Sequence, residues 1–169
     1  MHLQHWDVKQ AFVNAPLEET VYVHQIKGFE KKGEEGKVLR LRKALYGTRQ
    51  AGHAWQKYLS GILEGEGGKR NLKDECVYMF KEGEGVCIIG THVDDLFPLY
   101  NEEGKKIRDR VFRKLEEKME IDNKGEIKYA LDTCIETDRE KGTLRISQEV
   151  FISNMIKEFN LHESHGKVP

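Results

Sequence analysis

Two adjacent carboxylates, Asp94 and Asp95, stand inside an otherwise apolar stretch. Val86, Ile88 and Ile89 precede them, and Leu96 and Phe97 follow. Neighbours on a strand point to opposite faces, so two consecutive aspartates do not suit a plain buried strand. They suit the tip of a tight hairpin, where they could bind a cation or accept hydrogen bonds. A solvated surface turn is the plainer alternative. Asp7 is a third acid in strand-like sequence, Trp6 to Val13, where by itself it reads first as the N-cap of a short following turn. Brought together on neighbouring strands, three carboxylates repel unless divalent cations compensate them. Two hard cations about 4 Å apart are the arrangement that promotes in-line phosphoryl transfer.

A basic segment accompanies them. Lys37 to Leu63 holds six Lys or Arg and no Asp or Glu. Tyr46, Trp55 and Tyr58 interleave with these charges, as on a nucleic-acid or triphosphate surface. A solvated helix face with Trp55 and Tyr58 in the core accounts for Lys57. It accounts less well for Arg42, Lys43 and Arg49, which bracket the Leu45-Tyr46-Gly47 turn.

The elements that must position these groups follow from periodicity. Strands are expected over Asp7 to Val13, Thr20 to Gln25 and Val38 to Leu41. A helix over Arg49 to Leu63 places Ala51, Trp55, Leu59 and Ile62 on one face. Cys76 to Phe80 and Gly85 to Gly90 flank an EGEG loop as a hairpin, and Thr91 to Tyr100 follows. Asn101 is the expected N-cap of a helix buried through Ile107, Val111, Phe112, Leu115 and Met119. Ile127 to Glu136 reads as a strand and Thr143 to Ile146 as its partner, joined by a turn from Asp138 to Gly142. Ser147 could cap a last helix with Val150, Phe151, Met155, Ile156 and Phe159 on its apolar face. The expected class is α+β, an antiparallel sheet with helices packed on one face.

With 169 residues, one domain is expected over 1–169, with 161–169 as a flexible tail. Acids and bases nearly cancel, 29 against 28, which excludes a globally basic nucleic-acid coat. Because the basic segment carries no acids, the rest of the chain is correspondingly acidic. No apolar run approaches the ~20 residues that span a bilayer. The N-terminus lacks the basic-then-apolar order of a secretory leader, so an intracellular setting is expected. The three cysteines form no CxxC, and the HxxH pairs His2/His5 and His162/His165 have no third ligand.

The ordered set of short motifs resembles the copia-type (Pseudoviridae) retrotransposon reverse transcriptase. It comprises Asp7-Val8-Lys9-Gln10-Ala11-Phe12, Leu17 to Val23, Lys43-Ala44-Leu45-Tyr46-Gly47-Thr48-Arg49-Gln50, Ala54-Trp55, Cys76-Val77-Tyr78, His92-Val93-Asp94-Asp95, Gly125 to Tyr129 and Ile146-Ser147-Gln148. The resemblance runs from near Asp7 to near Leu161. It implies a polymerase palm that performs RNA- or DNA-templated DNA synthesis. Asp7, Asp94 and Asp95 would be its catalytic, metal-binding carboxylates, holding two Mg²⁺ or alternatively Mn²⁺. Phe12 would gate the sugar 2′-hydroxyl, and Gln50 would line the nucleotide pocket. Arg42, Lys43 and Arg49 would face nucleic acid or phosphate. Implied partners are an RNA or DNA template with primer, deoxynucleoside triphosphates, and the integrase and ribonuclease H of the same polyprotein. The setting would be a cytoplasmic virus-like particle or the nucleus, without a membrane.

The sequence departs from the family pattern in places. His92 replaces the usual Tyr, Leu131-Asp132 a Leu-Gly, and Gly67-Gly68 a Gly-Phe. Fingers sequence before Asp7, thumb and ribonuclease H are expected to be missing. An incomplete or degenerate copy with little activity alone is therefore expected. The alternative is a non-catalytic, retrotransposon-derived remnant that binds nucleic acid or protein.

Overall fold

A computed structural model describes residues 1–138 and 140–161. Arg139, His162, His165 and the tail expected beyond Leu161 lie outside the described residues. Two compact units divide the chain, 1–125 and 126–169.

The first unit is built on a six-stranded antiparallel sheet in the order β4-β5-β6-β7-β1-β8. The strands are β1 (His2–Val8), β4 (Lys69–Arg70), β5 (Val77–Glu82), β6 (Gly85–His92), β7 (Asp95–Tyr100) and β8 (Ile121–Glu126). A separate ribbon pairs β2 (Pro16–His24) with β3 (Val38–Lys43). Alternation sorts the sheet into two faces. Trp6 and Val8 on β1, Tyr78 and Phe80 on β5, Cys87 and Ile89 on β6, and Leu96 and Tyr100 on β7 are buried. Two helices cover that side. The first, α2 (Ala51–Gly65), buries Trp55, Leu59, Ile62 and Leu63. The second, α3 (Lys105–Glu116), buries Ile107, Val111, Phe112 and Leu115. Trp6 meets Phe112 with ring centroids 4.4 Å apart. Truncating so large a buried side chain costs about 3–5 kcal/mol. The opposite face carries Leu3, His5, Asp7, Asp95, Phe97 and Leu99, all half-buried.

β7 is central although it contains Pro98, which has no N–H to give. The β1–β7 register is unbroken, but the ladder pairs at its two ends, His2↔Tyr100 with Leu3↔Leu99 and Trp6↔Leu96 with Asp7↔Asp95. The unpaired middle faces Pro98.

Three boundaries differ from expectation. The first strand ends at Val8, because Gln10 is left-handed and opens a short helix, α1 (Ala11–Asn14). The helix expected to start after Asn101 begins at Lys105, capped by Gly104. The Asn101 side chain accepts from the N–H groups of Val86 and Gly104 and donates to the carbonyl of Glu84. It thereby ties the β5–β6 loop to the turn before α3. Gly104 is required there, since a Cβ would lie 2.1 Å from the Val86 carbonyl oxygen. The strand expected from Ile127 to Glu136 is broken, as the second unit shows.

The second unit has a three-stranded sheet, β11-β10-β9, of β9 (Tyr129–Ala130), β10 (Thr133–Asp138) and β11 (Thr143–Ser147). Leu131 and Asp132 form a two-residue turn with φ of 50° and 58°. Positive φ at both positions is the type I′ hairpin pattern, which favours Asn, Asp and Gly. Asp132 therefore sits in a turn, not within a strand, and accepts from the Tyr129 hydroxyl at 3.0 Å. The last helix, α4 (Glu149–Glu158), follows Gln148 rather than Ser147 and has no buried residue. Val150, Phe151, Met155 and Phe159 stay exposed. The mixed, antiparallel α+β architecture matches the expectation.

Candidate active site

Asp7 and Asp95 are direct partners in the β1–β7 ladder. Directly opposed residues share a face, here the half-buried one that also carries Leu3, His5, Phe97 and Leu99. Asp94 lies next to them in the turn that joins β6 to β7. His92 pairs with Asp95 across that turn, leaving Val93 and Asp94 as a two-residue loop. The hairpin tip expected for the Asp-Asp pair is thus present, and Asp7 lies beside it.

Val93 adopts a φ of 54°, strained for a β-branched residue. Two hydrogen bonds hold it. The Val8 N–H donates to the Asp94 carbonyl at 2.7 Å. The Trp55 indole N–H donates to the Val93 carbonyl at 2.5 Å. The turn is therefore fastened to β1 on one side and to α2 on the other.

The carboxylates are paired with cations of the chain itself. Asp7 accepts from Lys9 at 2.7 Å, with Lys124 at 3.6 Å. The Lys9 bond, aided by the charges of Lys9 and Lys124, holds the Asp7 carboxyl below its usual range against the opposing effect of burial. Lys9 and then Lys124 depress Asp122 in the same way. Asp95 accepts from His5 Nε2 at 2.6 Å. The His5 ring is steadied by Phe97, stacked with centroids 5.3 Å apart. Asp94 makes no ion pair among the described residues.

Asp7, Asp94 and Asp95 offer hard oxygen donors of the kind that Mg²⁺ and Mn²⁺ take. Their backbones are adjacent, but among the described residues no three metal-ligating side chains converge on one point. Lys9 and Lys124 both meet Asp7 at Oδ2, and His5 meets Asp95 at Oδ1.

Phe12 lines a cavity of about 250 Å³ with Trp55, Gln56, His92 and Val93, directly beside the hairpin tip. Its ring packs on Tyr46, centroids 4.6 Å apart. Gln50 does not join it. Gln50 and Arg49 line a larger cavity, about 1010 Å³, with Leu17, Lys57 and Tyr58. None of the three aspartates borders that cavity. Arg42 and Lys43 are exposed on β3, so the expected basic trio is split between a strand and the approach to α2.

Sequence reasoning missed His5, Lys9, Asp122 and Lys124 as neighbours of the carboxylates. Period-two alternation was the available signal, since His5, Asp7 and Lys9 recur at i, i+2 and i+4, as do Asp122 and Lys124. Tyr46, Trp55 and Gln56 were not placed at the site either, because their positions depend on how α2 docks.

The family model described as reverse transcriptase (RNA-dependent DNA polymerase) matches residues 1–169. The chain is 28% identical over 163 residues, 95% of its length, to a retrovirus-related Pol polyprotein from transposon TNT 1-94 of Nicotiana tabacum. It is 28% identical over 92% of its length to the corresponding polyprotein from transposon RE1 of Arabidopsis thaliana. It is 27% identical, again over 92%, to the putative transposon Ty5-1 protein of Saccharomyces cerevisiae. It spans 12% and 10% of the two plant polyproteins and 50% of the yeast protein. On a match that runs the full length of the chain, it belongs to the reverse transcriptase (RNA-dependent DNA polymerase) family, as a region of the copia type.

Proposed function

We propose that this chain is the palm of a copia-type RNA-directed DNA polymerase, with little activity by itself. The observation that supports it most is the opposition of Asp7 and Asp95 on the half-buried sheet face, beside a fastened turn carrying Asp94. Asp7, Asp94 and Asp95 would hold two Mg²⁺, with Mn²⁺ as substitute. Such ions lower the cost of charge at the attacking and leaving oxygens of a phosphoryl transfer.

The chain's own residues supply position. The hairpin tip and β1 hold the carboxylates near where a primer 3′-end would lie. Phe12, wedged against Tyr46 and bordering the small cavity, would exclude a sugar bearing a 2′-hydroxyl. The separation of Gln50 from Phe12 argues for a nucleotide pocket that is incomplete in this chain. Arg42, Lys43 and Arg49 would meet phosphates of the template–primer. Integrase and ribonuclease H regions of a polyprotein would be its partners, in a virus-like particle or the nucleus. No described helix is long and apolar enough to cross a membrane.

Primer extension with Mg²⁺ tests the reading. The 169-residue chain alone should extend a primer barely, and the same chain within a full polyprotein should extend it well. Asp94→Asn should then abolish extension in the polyprotein. Full activity of Asp94→Asn would overturn the assignment. The pairing of Asp7 and Asp95 with Lys9, Lys124 and His5 is the one observation favouring a non-catalytic binding module. In that case Asp7→Asn should leave template binding unchanged.

A further inference from the structure

Lys9 has two carboxylate partners at nearly the same distance. Its Nζ lies 2.7 Å from Asp7 and 2.8 Å from Asp122. Lys124 spans the same two acids, 3.6 Å from Asp7 and 3.3 Å from Asp122. Two acids and two bases thus form a closed quartet without net charge. The residues come from the end of β1 and from β8, its neighbour at the sheet edge. All four side chains are 24% to 46% exposed, so a solvated cation can reach them.

Both lysines meet Asp7 at Oδ2, so a divalent ion that takes this oxygen displaces Lys9 from it. Lys9 does not then become an unpaired charge, because Asp122 is already within hydrogen-bonding distance. We infer that Asp122 is a positioning residue that receives Lys9 and Lys124 when a divalent cation takes Asp7. The inference rests on the metal-binding reading of Asp7. Without Asp122, the quartet leaves both lysines to Asp7, and an ion at Oδ2 competes against both. Without Lys9, the ion has one competitor fewer. The two substitutions therefore move cation affinity in opposite directions, although each breaks the same Lys9–Asp122 contact. A mere strut between β1 and β8 would move both in the same direction.

The test is NMR of the 169-residue chain labelled at lysine Cε, titrated with Mg²⁺, with the amides of Asp7 and Asp95 followed in parallel. The Lys9 signal should move with the same midpoint as the Asp7 amide. Its end point should coincide with its position in Asp7→Asn, where Asp122 is the remaining partner. Lys9→Met should tighten Mg²⁺ binding about three- to tenfold, and Asp122→Asn should weaken it by a similar factor. Charge acting at a distance would change both affinities but leave the Lys9 signal in place, and that result overturns the inference alone. No response of Asp7 to Mg²⁺ in any variant overturns the metal reading and the inference with it.

Discussion

The indole N–H of Trp55 donates to the carbonyl of Val93, joining a buried helix residue to the hairpin tip that carries Asp94. The next carbonyl along, that of Asp94, is held by the Val8 N–H. Two successive peptide oxygens of the turn are thus fixed by two separate elements. This is how the fold keeps Val93 in a conformation its side chain disfavours.

Trp55→Phe keeps most of the ring packing and removes the donor. It should cost about 1–2 kcal/mol in urea unfolding. Amide exchange should quicken from Val93 to Asp95 while the centre of β6 stays protected. Unchanged exchange at the turn would refute the fastening role.

Val93→Gly should release strain. Val93 is 44% exposed, so its loss removes little packing. Glycine adopts positive φ freely but adds entropy to the unfolded chain, so the net gain should be about 0.5 kcal/mol. The same change at Val77, half-buried on β5, should destabilise by more than about 1 kcal/mol. Equal losses at both positions would show that the turn is not strained.

The turn in the second unit invites a stabilising change. Leu131 is 55% exposed and has a φ of 50°, which asparagine tolerates far better. Leu131→Asn should stabilise the β9–β10 hairpin by about 1 kcal/mol, read from amide exchange within residues 129–138. A loss of protection there would contradict the type I′ assignment.

Cys87 and Cys76 should behave oppositely. Cys87 is buried, and burial pushes its thiol up to about 12, with Arg108 opposing. Native protein should therefore be alkylated at exposed Cys76 and not at Cys87. In the unfolded chain the Cys87 thiol titrates near 9.0. Its contribution to stability is whole below that pH and is lost as pH rises from about 9 toward 12. Cys87→Ala should flatten the alkaline decline of the melting temperature, and an unaltered decline would exclude this source.

Much of the site's placement could be read before the structure, because it depends on local pattern. Apolar flanks and the Asp94-Asp95 pair point to a hairpin tip, and period-two alternation puts Asp7 on a strand beside it. The i, i+4 spacing of Ile107, Val111 and Leu115 identifies the buried face of α3. Asn101 misled because a capping side chain serves a loop as well as a helix. Its three hydrogen bonds go to the loop around Glu84 and Val86 and to Gly104. The break at Leu131-Asp132 is hidden because leucine gives no sign of the positive φ it adopts, and Asp132 by itself does not mark a two-residue turn. Phe12 and Gln50 were paired by motif, whereas their separation depends on how α1 and α2 dock. The partners of Asp7 were missed because Asp122 is more than a hundred residues away, and only the sheet order brings β8 to β1.

The opposition of Asp7 and Asp95 is tied to Trp6, the next residue along. Sliding β1 by one position would carry Asp7 under the helices and turn Trp6 out into water. Replacing Asp7 or Asp95 breaks half-buried ion pairs, with Lys9 and Lys124 or with His5, and leaves the buried Trp6 and Leu96 in place, so these acids can be lost one at a time while the molecule still folds. Inserting or deleting a residue between His2 and Asp7 offers no such gradual path. A lineage of copies drifting by point changes would keep this shape long after losing its acids, whereas a single length change in β1 would cost the shape itself.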